Sequence, residues 1–586
     1  MDGLCFTSGA SFGTSFTGRL VRNEGDICRR GRGRSRDESG RRVVRASIVS
    51  PVPTIPTSNR DGEGTSLCEF ENRCSSEPGV NLVPVWRKIF SDQLTAVALY
   101  RRLVGEDDVE KTSYVLESVT TDGNVGRYSF VGADPVLEII AKEREVTVLD
   151  SRIGKVKETT KEVEDPWALV KEISNDLKPA KVEGLPQAFS GGWVGYGGYD
   201  TARYVEAGSL PYSRAPVDDR DLPDLHMSIF QQCVTFDIIN KICYVISWVD
   251  LRESSSIEAA HERAMNKLNE LVDIVKVGKC LSPLEVGVVD IDILGAASTT
   301  ATPVSNMTKE QYEKAVLDCK EYILQGDAFQ IVYSQRFERN SKSHPFSVYR
   351  AMRIVNPSPY MIYMQCKGCV LVASSPEILC RVEDNVVTNR PLAGTRRRGS
   401  SVEEDKALEQ NLLQDEKELA EHRMLVDLGR NDVGRVAKYG SVKPVELMVV
   451  ERYSHVMHLS STVVGELQDG LTSFDALRAA LPAGTVSGAP KIRAMQIIDE
   501  LELNRRGPYG GGIGVVSFYD DMNIALALRT MIIPSSNRSA DADWKYYIQA
   551  GAGIVADSDP EAEYYETVNK AMALSRSIDL ADEAFS

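Results

Sequence analysis

Histidine is scarce, with six in 586 residues, so a histidine-rich metal centre is excluded and any metal would have to be held by carboxylates. Basic charge is in deficit. The chain has 68 Lys and Arg against 84 Asp and Glu, a formal charge of −16, so it lacks the basic footprint of a nonspecific nucleic-acid binder. No apolar run approaches the ~20 residues that a membrane-spanning helix needs. Cysteine is sparse and odd in number, 11 in all, which is not a secreted disulfide framework and fits a reducing compartment. Cys366-Lys367-Gly368-Cys369 has the spacing of half a zinc site but no second pair nearby, so these read as core or turn cysteines. G-x-x-x-x-G-K-[ST] and H-E-x-x-H are also missing, which removes P-loop and common zinc-protease chemistry. With 42% hydrophobic and 26% charged residues, the chain resembles an ordinary globular protein able to bury a core.

Lysine is absent from residues 1–50, where arginines from Arg19 to Arg45 are interleaved with Ser and Thr. An Arg- and Ser-rich leader without a long apolar core reads as an organelle transit peptide, although Asp2, Glu24, Asp26, Asp37 and Glu38 dilute that pattern. Residues 51–79 read as linker, 80–286 as an N-terminal domain, 287–305 as a second linker and 306–579 as a second domain. Val136–Ala141 with Val146–Leu149, and Cys233–Ile238 with Ile242–Trp248, read as hairpins. Ser256–Val277 has helical spacing, and Thr308-x-x-Gln311 is a capping box opening another helix. A long helix is expected over Ser401–Leu428, and Ile513–Phe518 with Ile524–Ile533 as a late hairpin. So many strands predict an α/β (α+β) fold of large, mostly antiparallel sheets with flanking helices.

Two acidic pairs stand out. Glu418 and Glu421 share a helix face, and Glu563 and Glu566 follow the Asp559-Pro560 helix start. Carboxylates from separate helices, with water and a substrate oxygen, would suit Mg²⁺. Solvated helix charge is the alternative, since Glu566 stands four residues from Lys570. Gly551-Ala552-Gly553 and Gly510-Gly511-Gly512 flank strands and could form amide nests for an oxyanion. Gly394-Thr395 leads into Arg396-Arg397-Arg398, and Arg529 in an Ala/Leu-alternating strand could fork onto a carboxylate. Together these suggest an anionic, multiply carboxylated small molecule held by Mg²⁺. By spacing alone, His458 reads as a satisfied core histidine.

The strings Pro391-Leu-Ala-Gly-Thr-Arg396, Asp415 to Asp432 (DEKELAEHRMLVDLGRND), Pro482-Ala-Gly-Thr-Val-Ser-Gly-Ala-Pro-Lys491 and Gln549-Ala-Gly-Ala-Gly553 resemble the chorismate-utilising enzymes. More narrowly, they are similar to the anthranilate synthase large (α) subunit family of plant chloroplasts. The resemblance implies an intertwined two-domain sandwich with the active site in the C-terminal part. It implies Glu421 and Glu566 as Mg²⁺ ligands, and Gly394, Thr395, Tyr509, Arg529, Gly551, Ala552 and Gly553 as chorismate-binding. It also implies Glu377 as general acid, with His458 and Thr485 as further catalytic positions, and His458 orienting and electrostatic. The implied reaction turns chorismate and ammonia into anthranilate and pyruvate in the plastid stroma. A separate glutamine amidotransferase (β) subunit would supply the ammonia, in an α2β2 heterotetramer.

Gln330 stands where isochorismate and salicylate synthases place a lysine base, and Ala393 where aminodeoxychorismate synthases carry lysine. Both favour direct amination at C2. Leu116-Glu117-Ser118 and Asn356-Pro-Ser-Pro-Tyr-Met361 resemble tryptophan-binding segments of regulated members, which makes Ser118, Pro359, Tyr360 and Met361 the expected inhibitor contacts.

Overall fold

In the computed structural model the described residues are 65–105, 108–118, 126–152, 154–276, 302–452, 456–535 and 543–585. The proposed leader and most of the second linker lie outside them. Glu63–Ser586 is one unit, and its described residues form two twelve-stranded sheets.

The first sheet runs, in spatial order, through strands beginning at Leu82, Ile242, Gln232, Tyr128, Ser113, Tyr360, Cys369, Thr530, Trp544, Gln330 and Val304. The second runs through strands beginning at Leu392, Val456, Val386, Ile378, Met522, Gly512, Gly192, Leu225, Leu137, Glu145 and Lys157. Neighbouring strands in both are antiparallel, as the short hairpin turns require. Each sheet draws strands from both halves of the chain, so residues 80–286 and 306–579 interleave in space.

Alternation along the strands explains the layering. Tyr114 and Leu116 meet Val194, Tyr196 and Ile513 between the sheets. Val115 and Val131 point the other way, onto helical residues such as Leu99, Leu268, Met352 and Ile578. The outer face of the second sheet is covered by Trp167, Val426, Val433, Phe474 and Leu477. The result is helix, sheet, sheet, helix.

The hairpins, the Thr308 capping box and the Asp559-Pro560 helix start match the sequence reading. Three expectations are corrected. Part of the supposed first linker is a helix, Leu67–Cys74, closed by a Ser66–Glu69 capping box and anchored by buried Phe70. The long acidic helix is two, Val402–Gln414 and Glu416–Gly434, because the Asp415 carboxylate caps the second. The strand expected over Ile524–Ile533 is also two: Met522–Leu526 lies in the second sheet and Thr530–Pro534 in the first. Cys366 and Cys369 face each other at the ends of a two-residue hairpin turn, buried, with both thiols pushed up by desolvation. No described helix is long and apolar enough to cross a membrane.

Candidate active site

The site lies where the chain passes between the sheets. Glu377 occupies the crossing from Cys369–Ser375 to Ile378–Glu383, and Arg529 the crossing back from Met522–Leu526 to Thr530–Pro534. The crossings brace each other: Leu526 N donates to Glu377 O at 3.0 Å and Ser374 N to Arg529 O at 3.2 Å. Arg529 is therefore not a strand residue, and its φ of +46° is a left-handed turn conformation that a sheet would not tolerate.

Glu377 is 5% exposed, and burial pushes its carboxyl up to about 8. The Thr485 hydroxyl donates to Oε1 at 3.0 Å. That bond and the Leu392 amide oppose the shift without cancelling it. Thr485 is fixed by the 3-10 turn Gly484–Val486.

Leu392 opens the strand Leu392–Arg397, which carries the next group. At Gly394 the register against Val456–Glu466 slips and φ is +64°, so glycine is needed; an added Cβ would meet Leu412 Cδ1 at 3.0 Å and Glu418 Oε2 at 3.2 Å. Thr395 Oγ1 lies 3.0 Å from His458 Nδ1, which is also 3.2 Å from Gly394 O. A carbonyl can only accept, so this arrangement assigns the proton to Nδ1 and the lone pair to Nε2. Burial first, then the nearby Arg529 cation, lower the His458 pKa to about 4. His458 is neutral at neutral pH. Its ring is placed to orient Thr395.

The second group gathers around Glu421, held on the Glu416–Gly434 helix. Gln330 Nε2 donates to Glu421 Oε1 at 2.9 Å. Burial raises the Glu421 pKa, and the Glu418 and Glu566 charges raise it further, so carboxylates from both helices sense each other. Glu566 is exposed and pairs with Lys570 at 2.7 Å, while Lys570 also donates to Gly551 O at 2.8 Å. Gly551, Ala552 and Gly553 sit inside the strand Trp544–Ile554, opposite Ser334, Tyr333 and Val332. They are not a left-handed nest; they lie in a paired strand. Their smallness is what counts, since a Cβ on Gly553 would fall 2.6 Å from Gln330 Nε2. Ala552 faces the core with Tyr312 and Ile331. Tyr509, fully buried and pushed up to about 12, receives the Gly551 amide on its oxygen.

Among the described residues no three His, Cys, Asp or Glu side chains form a ready-made metal cage. Two carboxylates do fit Mg²⁺, which keeps several waters and takes few protein oxygens. Gln330 Oε1 beside them is buried without a partner, as a site awaiting a further polar group would leave it.

Ser118 and Pro359–Met361, far apart in sequence, come together. Met361 pairs with Glu117, whose carboxylate accepts from the Tyr349 hydroxyl at 2.6 Å and pairs with Arg353 at 2.8 Å. They stand apart from the acidic groups but on the hairpin that leads to Glu377, with Tyr360 opposite Ser375. Sequence reasoning did not find the Gln330–Glu421 bond, nor the buried Lys491–Asp432 pair at 2.7 Å, although both partners of the pair stand in the strings that carried the resemblance.

A buried acid, a glycine-narrowed strand pair and carboxylates from two helices are the chemically distinctive features of this region. The model of the chorismate binding enzyme family matches residues 112–576, and the chain belongs to that family. Among its relatives, the chloroplastic anthranilate synthase α subunit 1 of Arabidopsis thaliana is 52% identical over 562 residues, covering 93% of both chains. Anthranilate synthase component 1 of Acetivibrio thermocellus is 42% identical, covering 86% of this chain and 96% of its own. Among solved structures, anthranilate synthase component I of Streptococcus pneumoniae superposes with a TM-score of 0.64 at 35% identity, covering 83% of this chain and 99% of that one. The menaquinone-specific isochorismate synthase of Escherichia coli shares the fold, with a TM-score of 0.59 at 17% identity over 87% of this chain and 98% of its own.

Proposed function

We propose that this protein is the chorismate-aminating subunit of an anthranilate synthase, acting in the plastid, where its plant relatives are named as residing. The observation that carries the reading is Glu377, a carboxyl kept protonated near neutral pH at the floor of the site. Ammonia adds at C2 of the ring as the C4 hydroxyl departs. That hydroxyl leaves as water once Glu377 gives it a proton, and the added ammonium then loses one. The aminated intermediate then loses its C2 proton as the ether C–O bond at C3 breaks, leaving anthranilate, and the departing enolpyruvate takes up a proton at its methylene carbon to become pyruvate. Thr485 holds the Glu377 carboxyl through Oε1, so the other oxygen is the one to carry the proton.

Arg529 is assigned to a substrate carboxylate, and Gly551–Gly553 with Tyr509 to the close approach of the ring. Gly394 and Thr395, held by His458, are assigned to the substrate as well. Glu421 and Glu566 would hold Mg²⁺, which when bound supplies positive charge for the other carboxylate. Gln330 occupies its corner with an amide, and an amide cannot deprotonate water, so amination is favoured over hydration.

The test is direct. Chorismate, Mg²⁺ and ammonium at alkaline pH, where free ammonia is plentiful, should give anthranilate fluorescence without any second subunit. Formation of 4-amino or 2-hydroxy products would sink the reading. With glutamine as nitrogen source, activity should require an amidotransferase (β) subunit, which an α2β2 assembly would supply.

Ser118 and Pro359–Met361 are proposed to receive tryptophan. Their strand runs beside the one ending two residues before Glu377, which offers a short mechanical route from inhibitor to acid. Ser118→Phe, which fills the space, should raise the half-inhibitory tryptophan concentration at least about tenfold, roughly 1.4 kcal/mol of lost binding, with kcat preserved. Inhibition curves of the two proteins that overlay would remove this site.

A further inference from the structure

We infer that Arg506 is a positioning residue for the proton-donating step, fixing the Thr485 turn against Glu377; the inference rests on the amination reading above. Arg506 is 2% exposed and follows the helix Lys491–Leu501. Four of its five N–H donors are engaged. Nε donates to Glu502 Oε2 at 2.9 Å, and Nη2 to Glu502 Oε1 at 2.6 Å and to Val332 O at 2.7 Å. Nη1 donates to Val486 O at 2.5 Å. Glu502 Oε1 is held in turn by Ser334 N at 2.9 Å and Ser334 Oγ at 2.7 Å. The Tyr199 ring lies 4.5 Å from the guanidinium and closes one side.

The two carbonyls are the informative partners. Val486 is the residue after Thr485, and Val332 lies two residues beyond Gln330. One planar, rigid group therefore sets the spacing between the turn that holds the acid and the strand that reaches Glu421. Lysine could not do the same, because its donors radiate from a single nitrogen and cannot grip Glu502 with both prongs while reaching both carbonyls. Stability alone is a weak explanation for such a pair, since buried ion pairs often add nothing over well-packed apolar residues. Position is what a fork of fixed geometry provides.

The test is a double-mutant cycle in the full-length protein with saturating ammonium and Mg²⁺, reading kcat and the KM for chorismate, with thermal melts as a folding check. Arg506→Lys should lower kcat on the order of 10²-fold, the scale of an ångström of misplacement at a reacting group. KM should stay within about threefold. In a Thr485→Val background, where the hydroxyl is already gone, the same substitution should cost less than about threefold, a large departure from additivity. Equal losses in both backgrounds would make Arg506 a merely structural residue and overturn the inference. If Arg506→Lys fails to fold, Glu502→Gln replaces it in the cycle with the same pattern expected. An unmodified protein that forms no anthranilate would sink the amination reading as well, whereas a failed cycle in an active enzyme sinks only the role of Arg506.

Discussion

Glu377→Gln should reduce anthranilate formation by about 10²–10⁴-fold, the range expected when a positioned proton donor is lost. Glutamine keeps the shape and leaves an oxygen for the Thr485 hydroxyl, so the substitution removes little but the acidic proton. Two pH signatures accompany it. With the carboxyl pushed up to about 8, the wild-type rate per free ammonia should fall as pH rises through that value, and the variant should lose that limb. Stability shifts as well. Unfolding returns the group to its ordinary 4.5, so between pH 4.5 and about 8 the unfolded chain releases a proton that the folded chain retains. Folding then becomes less favourable with rising pH, by an amount on the order of a few kcal/mol. The neutral amide escapes that loss, so Glu377→Gln should melt above wild type at pH 8 and not at pH 4. An active variant with an unchanged pH profile would mean that the proton comes from elsewhere.

The pattern of what could be read from sequence follows from the range of the forces involved. The Thr308 capping box, the two early hairpins and the Asp559-Pro560 helix start are local chemistry, and they stand where the spacing placed them. The crossing at Arg529 was hidden because Ala525, Leu526, Ala527 and Leu528 continue an apolar run up to it; the first three are buried and Leu528 partly so, and nothing in their character marks the change of sheet. The helix break at Asp415 was hidden for a similar reason. Helical periodicity continues across it, and only the aspartate's turn to the Lys417 and Glu418 amides ends one helix and begins the next. Gly551 and Gly553 suggested an amide nest, but pairing with Gln330–Ser341 decides their conformation from more than two hundred residues away. Glu502 and Arg506 carry the spacing of an ordinary exposed i,i+4 pair, and sequence gives no sign that both are buried.

Glu421→Gln should lower Mg²⁺-dependent turnover by about 10³-fold or more, since a metal's stabilisation of transition-state charge amounts to several kcal/mol. Glu421 is the more telling of the two proposed ligands because it is half-buried, pinned by Gln330 and surrounded by charge of its own sign from Glu418 and Glu566. Such a carboxylate is poorly placed unless a cation joins it. The melting temperature separates this from a general loss of fold. Without Mg²⁺, removing one of several mutually repelling carboxylates should leave the variant at least as stable as wild type. Adding Mg²⁺ should raise the wild-type melting temperature by binding to the folded state only, and should leave the variant where it was. Calorimetric titration with MgCl₂ should show heat for wild type and none for Glu421→Gln. A variant that still binds Mg²⁺ and still turns over would move the cation away from the two helices, and with it the anchor proposed for one end of the substrate. Glu566→Gln should follow the same pattern more weakly, because Glu566 is exposed and already shares its charge with Lys570.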